Sequence, residues 1–213
     1  EIDLSMSQPF LFAGILKKNG LVGNDGCGSS VLKGRDHYIE VVTGQTDMDI
    51  YEHAREVLQK EYSIDVTRDL AKPKVLMLFN ATEDQIKSDT YKAPRQREVK
   101  NKLKGLAEGF REKFPGVMKS LNKLRNSVRM EYDTSPGDWM NQFEAEVMVH
   151  RVAKSLTDTP VLTLHDCVVV PEDRKEETRN LINEHFHDLF GLTPHLTVEC
   201  LDTEATNPRG SPA

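Results

Sequence analysis

The sequence feature that most constrains this chain is the segment 160–171, where two short apolar runs flank the dipeptide His165-Asp166. Prolines at positions 160 and 171 bound the segment. Runs of Val and Leu of this length, separated by a two-residue polar turn, predict a tight β-hairpin. The hairpin would carry a carboxylate at its tip, and an ionised Asp on a rigid apolar support favours a bound cation. A polar turn in which Asp166 bonds its own backbone is the alternative.

The composition is that of a globular protein with a real core. Its 213 residues are 38% hydrophobic, which allows one large domain or two small ones. No apolar run approaches the roughly 20 residues of a transmembrane helix, and no signal-peptide pattern is present. Cys27, Cys167 and Cys200 lack CxxC spacing, which argues against a disulfide framework or a zinc site and favours a reducing, cytoplasmic compartment. Because the chain begins at Glu1 rather than Met, we expect a fragment of a longer protein.

Positive charge is concentrated in one segment of an acidic chain. The formal charge of the whole is −6, yet residues 92–129 hold twelve Lys or Arg and only three Glu, which leaves −15 for the remainder. Such segregation is typical of a protein with one phosphate-facing surface and one set of acidic metal ligands. A solvated helix face with loose charge patterning is the alternative.

Hydrophobic periodicity predicts a chain that mixes helices with a few strands. Helices are expected over residues 10–16, 46–62, 117–129, 138–156 and 172–190, and strands over residues 1–7 and 195–200 in addition to the hairpin. The glycine-rich run 23–30 predicts a loop, and it lacks the residue order of a phosphate-binding P-loop. The polar tail 202–213 is expected to be disordered.

A pair of cations lies in the segment from Thr67 to Asn80. Arg68 and Lys72 are one helical turn apart and share a face. This spacing suits a polyphosphate, because Arg grips it in bidentate fashion and Lys acts as a point charge. Pro73 disfavours helical geometry at Lys72 unless the helix begins there. An ordinary surface pair is the alternative.

Three short segments resemble, in order, motifs of the single-subunit phage-type RNA polymerases and of the related family A DNA polymerases. The first, Asp3-Leu-Ser-Met-Ser, resembles motif A, and its DxSxS form is closer to the RNA polymerase version. The second, from Arg68 to Leu78, has the RxxxK spacing of the motif B fingers helix. The third, His165-Asp166-Cys on the predicted hairpin, resembles motif C, where RNA polymerases typically carry His-Asp-Ser.

The resemblance implies a fold and a domain plan. It implies an α+β polymerase palm, in which a small antiparallel sheet bears the catalytic hairpin, together with a helical fingers region. Residues 1–45 would form the first part of the palm and a loop, 46–130 the fingers, 131–201 the second part of the palm, and 202–213 a disordered tail. The helix around Gln142 resembles the one that precedes motif C in these enzymes. The missing polymerase domains would be supplied by the rest of a longer chain.

The resemblance also implies a nucleotidyltransferase that uses two metal ions. Asp3 and Asp166 would bind two Mg²⁺ ions, and the backbone carbonyl of Leu4 would complete one of the two sites. Arg68 and Lys72 would bind the triphosphate of a nucleoside triphosphate, with Lys72 also placed to assist the leaving pyrophosphate.

The remaining implied contacts involve the nucleotide and the nucleic acid. Gln8 stands at the sugar-selecting position, where DNA polymerases carry Glu and RNA polymerases Gly, and Phe79 would pack under the templating base. Asn80 stands where the family has Tyr, so the choice of sugar stays open. The basic segment 92–129 would follow template or product phosphates with a salt-dependent affinity. The expected nucleic-acid contacts are Arg95, Arg97, Lys100, Gln142 and His165.

We therefore expect a template-directed nucleic-acid polymerase, with RNA synthesis slightly favoured over DNA synthesis and with no membrane partner. A polymerase-like module that binds a duplex through its basic face without catalysis is the alternative from another class. A metal-dependent nuclease using the same two carboxylates is disfavoured, because it would not require the cations of motif B. The motifs are compatible with a phage or mobile-element origin.

Overall fold

The computed structural model describes residues 1–18, 29–62, 66–81, 86, 94–134 and 136–201. Within these residues the chain is mostly helical with one small antiparallel sheet, so the expected α+β class is confirmed at that level. The helices are α1 (Ser7–Lys18), α2 (Ser29–Val42), α3 (Ile50–Tyr62), α4 (Arg68–Asn80), α5 (Pro94–Lys113), α6 (Val117–Tyr132), α7 (Pro136–Ala145), continued by a π-helical segment (Glu146–Ala153), and α8 (Lys175–Phe190), which follows a 3-10 turn (Glu172–Arg174). None of the helices described is both long and apolar enough to cross a bilayer.

Four strands of three residues form the sheet. They are β1 (Ile2–Leu4), β2 (Leu162–Leu164), β3 (Cys167–Val169) and β4 (Leu196–Val198). Their spatial order is β2-β3-β1-β4, and all neighbouring pairs are antiparallel. The amino-terminal strand therefore lies inside the sheet, between the hairpin and the last strand. The predicted hairpin and the predicted strands near both ends of the chain are confirmed.

The strand β1 has one face in the core and one face away from it. Ile2 and Leu4 are almost fully buried, whereas Asp3 between them is only partly buried. Ile2 pairs with Val168, which is also buried, and Asp3 pairs with Cys167. Because successive residues of a strand face opposite sides of the sheet, Asp3 lies on the face away from the core.

Helix α1 runs through the middle of the core. Its residues 9–16 are all buried, as expected for a helix that is apolar around its whole circumference. Phe12 contacts Phe79 of α4 edge-on, with the ring centroids 5.5 Å apart. Gly14 lets the ring of Phe190 on α8 lie against the helix, where a Cβ atom would clash. Helix α1 thereby joins α4 and the carboxyl-terminal helix, and it follows directly after the strand that carries Asp3.

Side-chain hydrogen bonds cap the N-termini of α3 and α4, the two helices nearest the site. The Oδ1 atom of Asp49 accepts hydrogen bonds from the backbone N–H groups of Tyr51 and Glu52, at 2.6 and 3.2 Å, at the start of α3. Thr67 is the N-cap of α4, and its hydroxyl accepts a hydrogen bond from the N–H of Leu70 at 3.3 Å. Both are residue types that helix N-termini prefer.

Several elements differ from the sequence-based expectation. The sequence pattern does not predict α2, and Ser29 and Ser30 at its start fall in the run 23–30, whose earlier residues lie outside the described ones. The long helix expected over 138–156 consists of α7 and the π-helical segment. Helix α4 continues through Pro73, because it begins five residues earlier at the capped end and loses only one backbone hydrogen bond.

Two features remain near the carboxyl end of the chain. Gly191 ends α8 with a φ of 65°, the left-handed geometry that makes glycine a common helix C-cap. The tail 202–213 lies outside the described residues, so its predicted disorder stays a prediction. The division of the chain into palm and fingers also stays a prediction.

Candidate functional site

The sheet brings the first and the last polymerase-like motifs together. Asp3 of β1 pairs with Cys167 of β3, the residue that follows Asp166. The backbone N–H of Leu4 donates a hydrogen bond to the carbonyl of Asp166 at 2.9 Å. The turn of the hairpin is thus bonded directly to the strand that carries Asp3. Two aspartates from opposite ends of the chain therefore meet at one end of the sheet, in a relation set by strand register.

Both aspartates have a residue with left-handed backbone geometry close by in the sequence. His165, the first residue of the hairpin turn, has a φ of 53°, and Met6, in the turn between β1 and α1, has a φ of 56°. The favoured two-residue hairpin turns need a positive φ at their first central position, which accounts for His165. For residues other than Gly this geometry is strained, and such strain concentrates at functional sites. No glycine marks either turn, so sequence reasoning did not anticipate the strain.

Burial and two neighbouring charges together shift the pKa of Asp3 upward. Burial is the main cause that raises its pKa, and the neighbouring Asp166 raises it further, whereas Lys72 of α4 lowers it. Two carboxylates this close are unfavourable together when both are ionised, because like charges disfavour each other's charged form. A cation shared between them would remove that disadvantage.

Mg²⁺ suits the donors that Asp3 and Asp166 provide. This ion prefers hard oxygen ligands and is usually bound by one or two carboxylates together with substrate phosphates. The raised pKa of Asp3 marks a position where a cation would be favourable. Among the residues that the structure describes, no group of three or more His, Cys, Asp or Glu side chains is arranged to hold a metal ion. The fit therefore depends on the two aspartates and on substrate oxygens, and the role of the Leu4 carbonyl stays a prediction.

Glu144 of α7 is a third acid near the pair, and sequence analysis does not single it out. It is only 8% exposed, and burial raises its pKa to about 7. Asp166 and Asp3 raise this pKa as well, while a hydrogen bond from the Ser7 side chain lowers it. Glu144 follows Met140 by four residues on the buried face of the helix. An acid on an apolar helix face is the sequence signal that would have found it.

The two cations of α4 lie over one aromatic ring. The guanidinium carbon of Arg68 is 5.1 Å and the Nζ of Lys72 is 5.8 Å from the ring centroid of Tyr51 on α3. Arg68 also donates from Nε and Nη2 to Oδ2 of Asp49, at 2.9 and 2.6 Å. Lys72 is close enough to Asp3 to lower the pKa of that carboxyl group. Asp49 and Tyr51 escape sequence analysis because they belong to a different helix.

Gln8, Phe79 and Gln142, the three other candidate residues, differ in their burial and in their contacts. The Nε2 of Gln8 donates to Oδ1 of Asn141 at 3.3 Å, and its buried Oε1 has no hydrogen-bond partner among the described residues. Phe79 has no exposed surface and contacts Phe12, so its ring would have to leave the core to meet a base. Gln142 is exposed on α7. Their roles toward nucleotide or template stay predictions.

This chain matches no protein-family model, no curated protein and no solved structure. Its function must therefore be inferred from the carboxylates, the cations and their surroundings.

Arg125, a residue of the basic segment 92–129, is buried and has a structural role. Arg125 is 1% exposed and donates to the backbone carbonyls of Leu78 and Phe79 at the end of α4. It also donates to the side chain of Asn122 at 2.6 Å. Its guanidinium fastens α6 to α4 and does not face solvent, so the expectation that the whole segment follows phosphates is wrong for this residue.

Other basic residues of that segment are solvent-exposed. Among the described residues they include Lys104, Arg111 and Lys119. The side chains of Arg95, Arg97 and Lys100, predicted as nucleic-acid contacts, lie outside the described residues. His165 is exposed at the tip of the hairpin.

Proposed function

We propose that this chain is the palm and fingers region of a template-directed nucleic-acid polymerase, related to the phage-type RNA polymerases and family A DNA polymerases, with RNA as the favoured product. The observation that carries the proposal is the meeting of Asp3 and Asp166 at one end of the sheet with Lys72 close by. Nucleotidyl transfer requires such a set: two carboxylates for metal ions and a cation for the triphosphate.

The proposed reaction joins a 3′-hydroxyl group to the α-phosphate of a nucleoside triphosphate. The 3′-hydroxyl gives its proton to solvent water and its oxygen forms a bond to the α-phosphorus. The bond from that phosphorus to the bridging oxygen breaks, and pyrophosphate leaves. Asp3 and Asp166 would hold Mg²⁺, which when bound would activate the attacking oxygen and stabilise the charge on the leaving one. Arg68 and Lys72 hold the triphosphate in line, and Nζ of Lys72 gives a proton to the leaving pyrophosphate.

The acidic pair favours a catalyst over a module that only binds nucleic acid. Asp166 is close enough to Asp3 to raise the pKa of that carboxyl group, and the two acids would repel phosphates unless a cation intervened. A passive duplex binder gains nothing from them. The preference for RNA depends on the DxSxS form of the segment beginning at Asp3, since Gln8 and Asn80 match neither branch of the superfamily.

Primer extension tests the proposal. A labelled primer on a template is incubated with the chain in Mg²⁺, and ribonucleotides and deoxyribonucleotides are offered separately. Asp166→Asn removes one metal ligand, and Asp173→Asn is the matched control, because Asp173 is solvent-exposed a few residues beyond the same hairpin. We expect extension by the parent chain and by Asp173→Asn, and none by Asp166→Asn.

A second measurement keeps the test independent of domains outside this chain. Mg²⁺-dependent binding of a labelled nucleoside triphosphate should be lost in Asp166→Asn and kept in Asp173→Asn. In another outcome the parent chain shows neither extension nor triphosphate binding and yet binds a duplex equally well with and without Asp166→Asn. That result would contradict the polymerase and indicate a nucleic-acid-binding module. Cleavage of the nucleic acid that disappears in Asp166→Asn would indicate a nuclease instead.

A further inference from the structure

The carboxylate of Asp49 serves two elements at once. Its Oδ1 accepts the backbone N–H groups of Tyr51 and Glu52 at the start of α3. Its Oδ2 accepts both Nε and Nη2 of Arg68 on α4, at 2.9 and 2.6 Å. One side chain therefore caps a helix and fixes the plane of a guanidinium group on the neighbouring helix.

The ring of Tyr51 lies under both cations of α4 and near the carboxylates of the site. It is 2% exposed, and it lies 5.1 Å from the guanidinium of Arg68 and 5.8 Å from the ammonium of Lys72. Burial is the main cause that raises the pKa of its phenol, and Asp49, Asp166 and Asp3 all raise it further.

The two cations need support because they repel each other. Arg68 and Lys72 are one turn apart, and like charges at this spacing destabilise a helix and push each other toward solvent. The carboxylate of Asp49 compensates one of the charges, and the electron-rich face of the Tyr51 ring attracts both. Their long side chains are thereby ordered before any ligand arrives.

The hydrogen bonds of Arg68 leave one edge of its guanidinium for a ligand. Nε and Nη2 are engaged side-on by Asp49. Among the described residues Nη1 has no hydrogen-bond partner, and the Arg68 side chain is 46% exposed. A guanidinium held in this way can still present its end-on pair of donors to two oxygens of a phosphate group.

We propose that Asp49 and Tyr51 are positioning residues that hold Arg68 and Lys72 in the orientation that grips a polyphosphate. This inference rests on the proposed function, because the polyphosphate is the triphosphate of the incoming nucleotide. It assigns a role to Asp49, which caps the start of α3, and to Tyr51 of α3, neither of which belongs to a polymerase-like motif of this sequence.

Asp49→Asn separates the positioning role from helix capping. Asn is as good an N-cap as Asp, so α3 keeps its start while Arg68 loses its charged partner. Tyr51→Phe keeps the ring face under both cations, whereas Tyr51→Leu removes it. Asp69→Asn is the matched control, since Asp69 is exposed in the first turn of α4.

The measurement is calorimetric binding of inorganic pyrophosphate to the full chain at low salt, once in EDTA and once in Mg²⁺. We expect Asp49→Asn and Tyr51→Leu to weaken binding roughly five- to tenfold, the size of one lost cation–π or charge-assisted contact. Tyr51→Phe and Asp69→Asn should stay within about twofold of the parent chain. Because Tyr51→Leu alters a buried position, its near-UV circular dichroism is recorded, and Asp49→Asn carries the test if Tyr51→Leu unfolds.

Unchanged pyrophosphate affinity in Asp49→Asn overturns the proposal, and so does tighter affinity, which would make Asp49 a competitor of the ligand. A parent chain that binds no pyrophosphate also overturns it. In an active enzyme the proposal further requires that Asp49→Asn raise KM for the nucleotide and leave kcat nearly unchanged.

The inference and the proposed function fail separately. In one outcome pyrophosphate binding depends on Asp49, but the chain shows neither extension nor Mg²⁺-dependent nucleotide binding. This outcome supports the positioning role and contradicts the polymerase. Extension that depends on Asp166 but is indifferent to Asp49→Asn would retain the polymerase and remove the positioning role.

Discussion

The two halves of the candidate site are held by different means. Asp3 and Asp166 are positioned by backbone hydrogen bonds between β1 and the hairpin, so strand register alone sets their separation. The two cations of α4 are oriented by side chains of another helix, Asp49 and Tyr51. One half depends on the backbone, and the other depends on a few replaceable side chains.

This difference indicates how each half responds to substitution. A slip of one residue in the register would turn Asp3 to the core face, so the carboxylate half either forms completely or does not form. The cation half can lose orientation gradually, one contact at a time. We therefore expect substitutions among the carboxylates to act on chemistry and substitutions around α4 to act on stability and binding.

The largest expected effect is in the carboxylate half. Asp3→Asn should reduce primer extension by at least about a thousandfold, equivalent to about 4 kcal/mol of transition-state stabilisation, because a metal ligand is lost. The fold should not suffer. The pKa of Asp3 is raised in the folded chain, so the metal-free protein loses stability as pH rises through that pKa, and a neutral Asn avoids the loss.

Single-turnover extension and urea unfolding in EDTA near pH 7 check both parts of this prediction. Extension that survives in Asp3→Asn would remove Asp3 from the chemistry. A large loss of stability would mean that the carboxylate is held by bonds that the sheet geometry does not reveal.

The next effect concerns the attachment of α4, which carries the cation half. Arg125→Met should lower the free energy of unfolding by about 3 to 4 kcal/mol, because the buried carbonyls of Leu78 and Phe79 lose their donor. Arg125→Lys keeps the charge with fewer donors and should lose less. Urea unfolding gives both values, and a loss below about 1 kcal/mol for Arg125→Met would mean that water replaces the guanidinium at the end of α4.

A smaller effect concerns Glu144, the buried acid next to the carboxylate half, and the pH dependence of stability that it causes. The pKa of Glu144 is raised from 4.5 to about 7 in the folded chain, so its contribution to stability is present below pH 4.5 and is lost as pH rises to about 7. In EDTA, Glu144→Gln should therefore gain stability relative to the parent chain, by about 2 kcal/mol more near pH 8 than near pH 5.

Thermal or urea unfolding across that pH range measures the difference. Glu146→Gln is the control, because Glu146 lies two residues on and is solvent-exposed. A stability difference for Glu144→Gln that does not change with pH would mean that Glu144 stays ionised beside Asp166.

The smallest effect is at the start of α4. Thr67→Ala removes the cap that accepts the N–H of Leu70 and should lower stability by about 1 kcal/mol. Thr67→Ser keeps the hydroxyl and should lose much less. Equal losses in the two variants would assign the effect to the methyl group of Thr67 and not to its cap.

Local elements of the site could be predicted from the sequence. The hairpin around Asp166 follows from two apolar runs and a two-residue turn. The helix of Arg68 and Lys72 was implied by the resemblance to motif B, whereas the local signal of Pro73 counted against it. Both elements depend on neighbours within a few residues. Helix α2 could not be predicted, because its first residues belong to a glycine-rich run that indicates a loop and its apolar stripe is short.

Long-range partners outside the polymerase-like motifs could not be predicted. Nothing near Asp49 or Tyr51 in the sequence indicates that α4 will pack beside them, and nothing near Arg125 indicates the carbonyls that it meets. Glu144 left a local trace, an acid on an apolar helix face, but its raised pKa is due first to burial in the packed core and then to Asp166, a residue of another element.

Residue types and spacing establish which chemical groups this chain carries: two aspartates in or beside apolar strands, two cations one helical turn apart, and a basic segment between the motifs. How deeply these groups are buried, and which side chains outside the motifs contact them, depends on the tertiary structure. The reason is physical. Residue type and spacing act through local backbone preference, whereas desolvation and the pairing of distant charges arise only when the chain packs, and these set the pKa of Asp3 and the hold on Arg68.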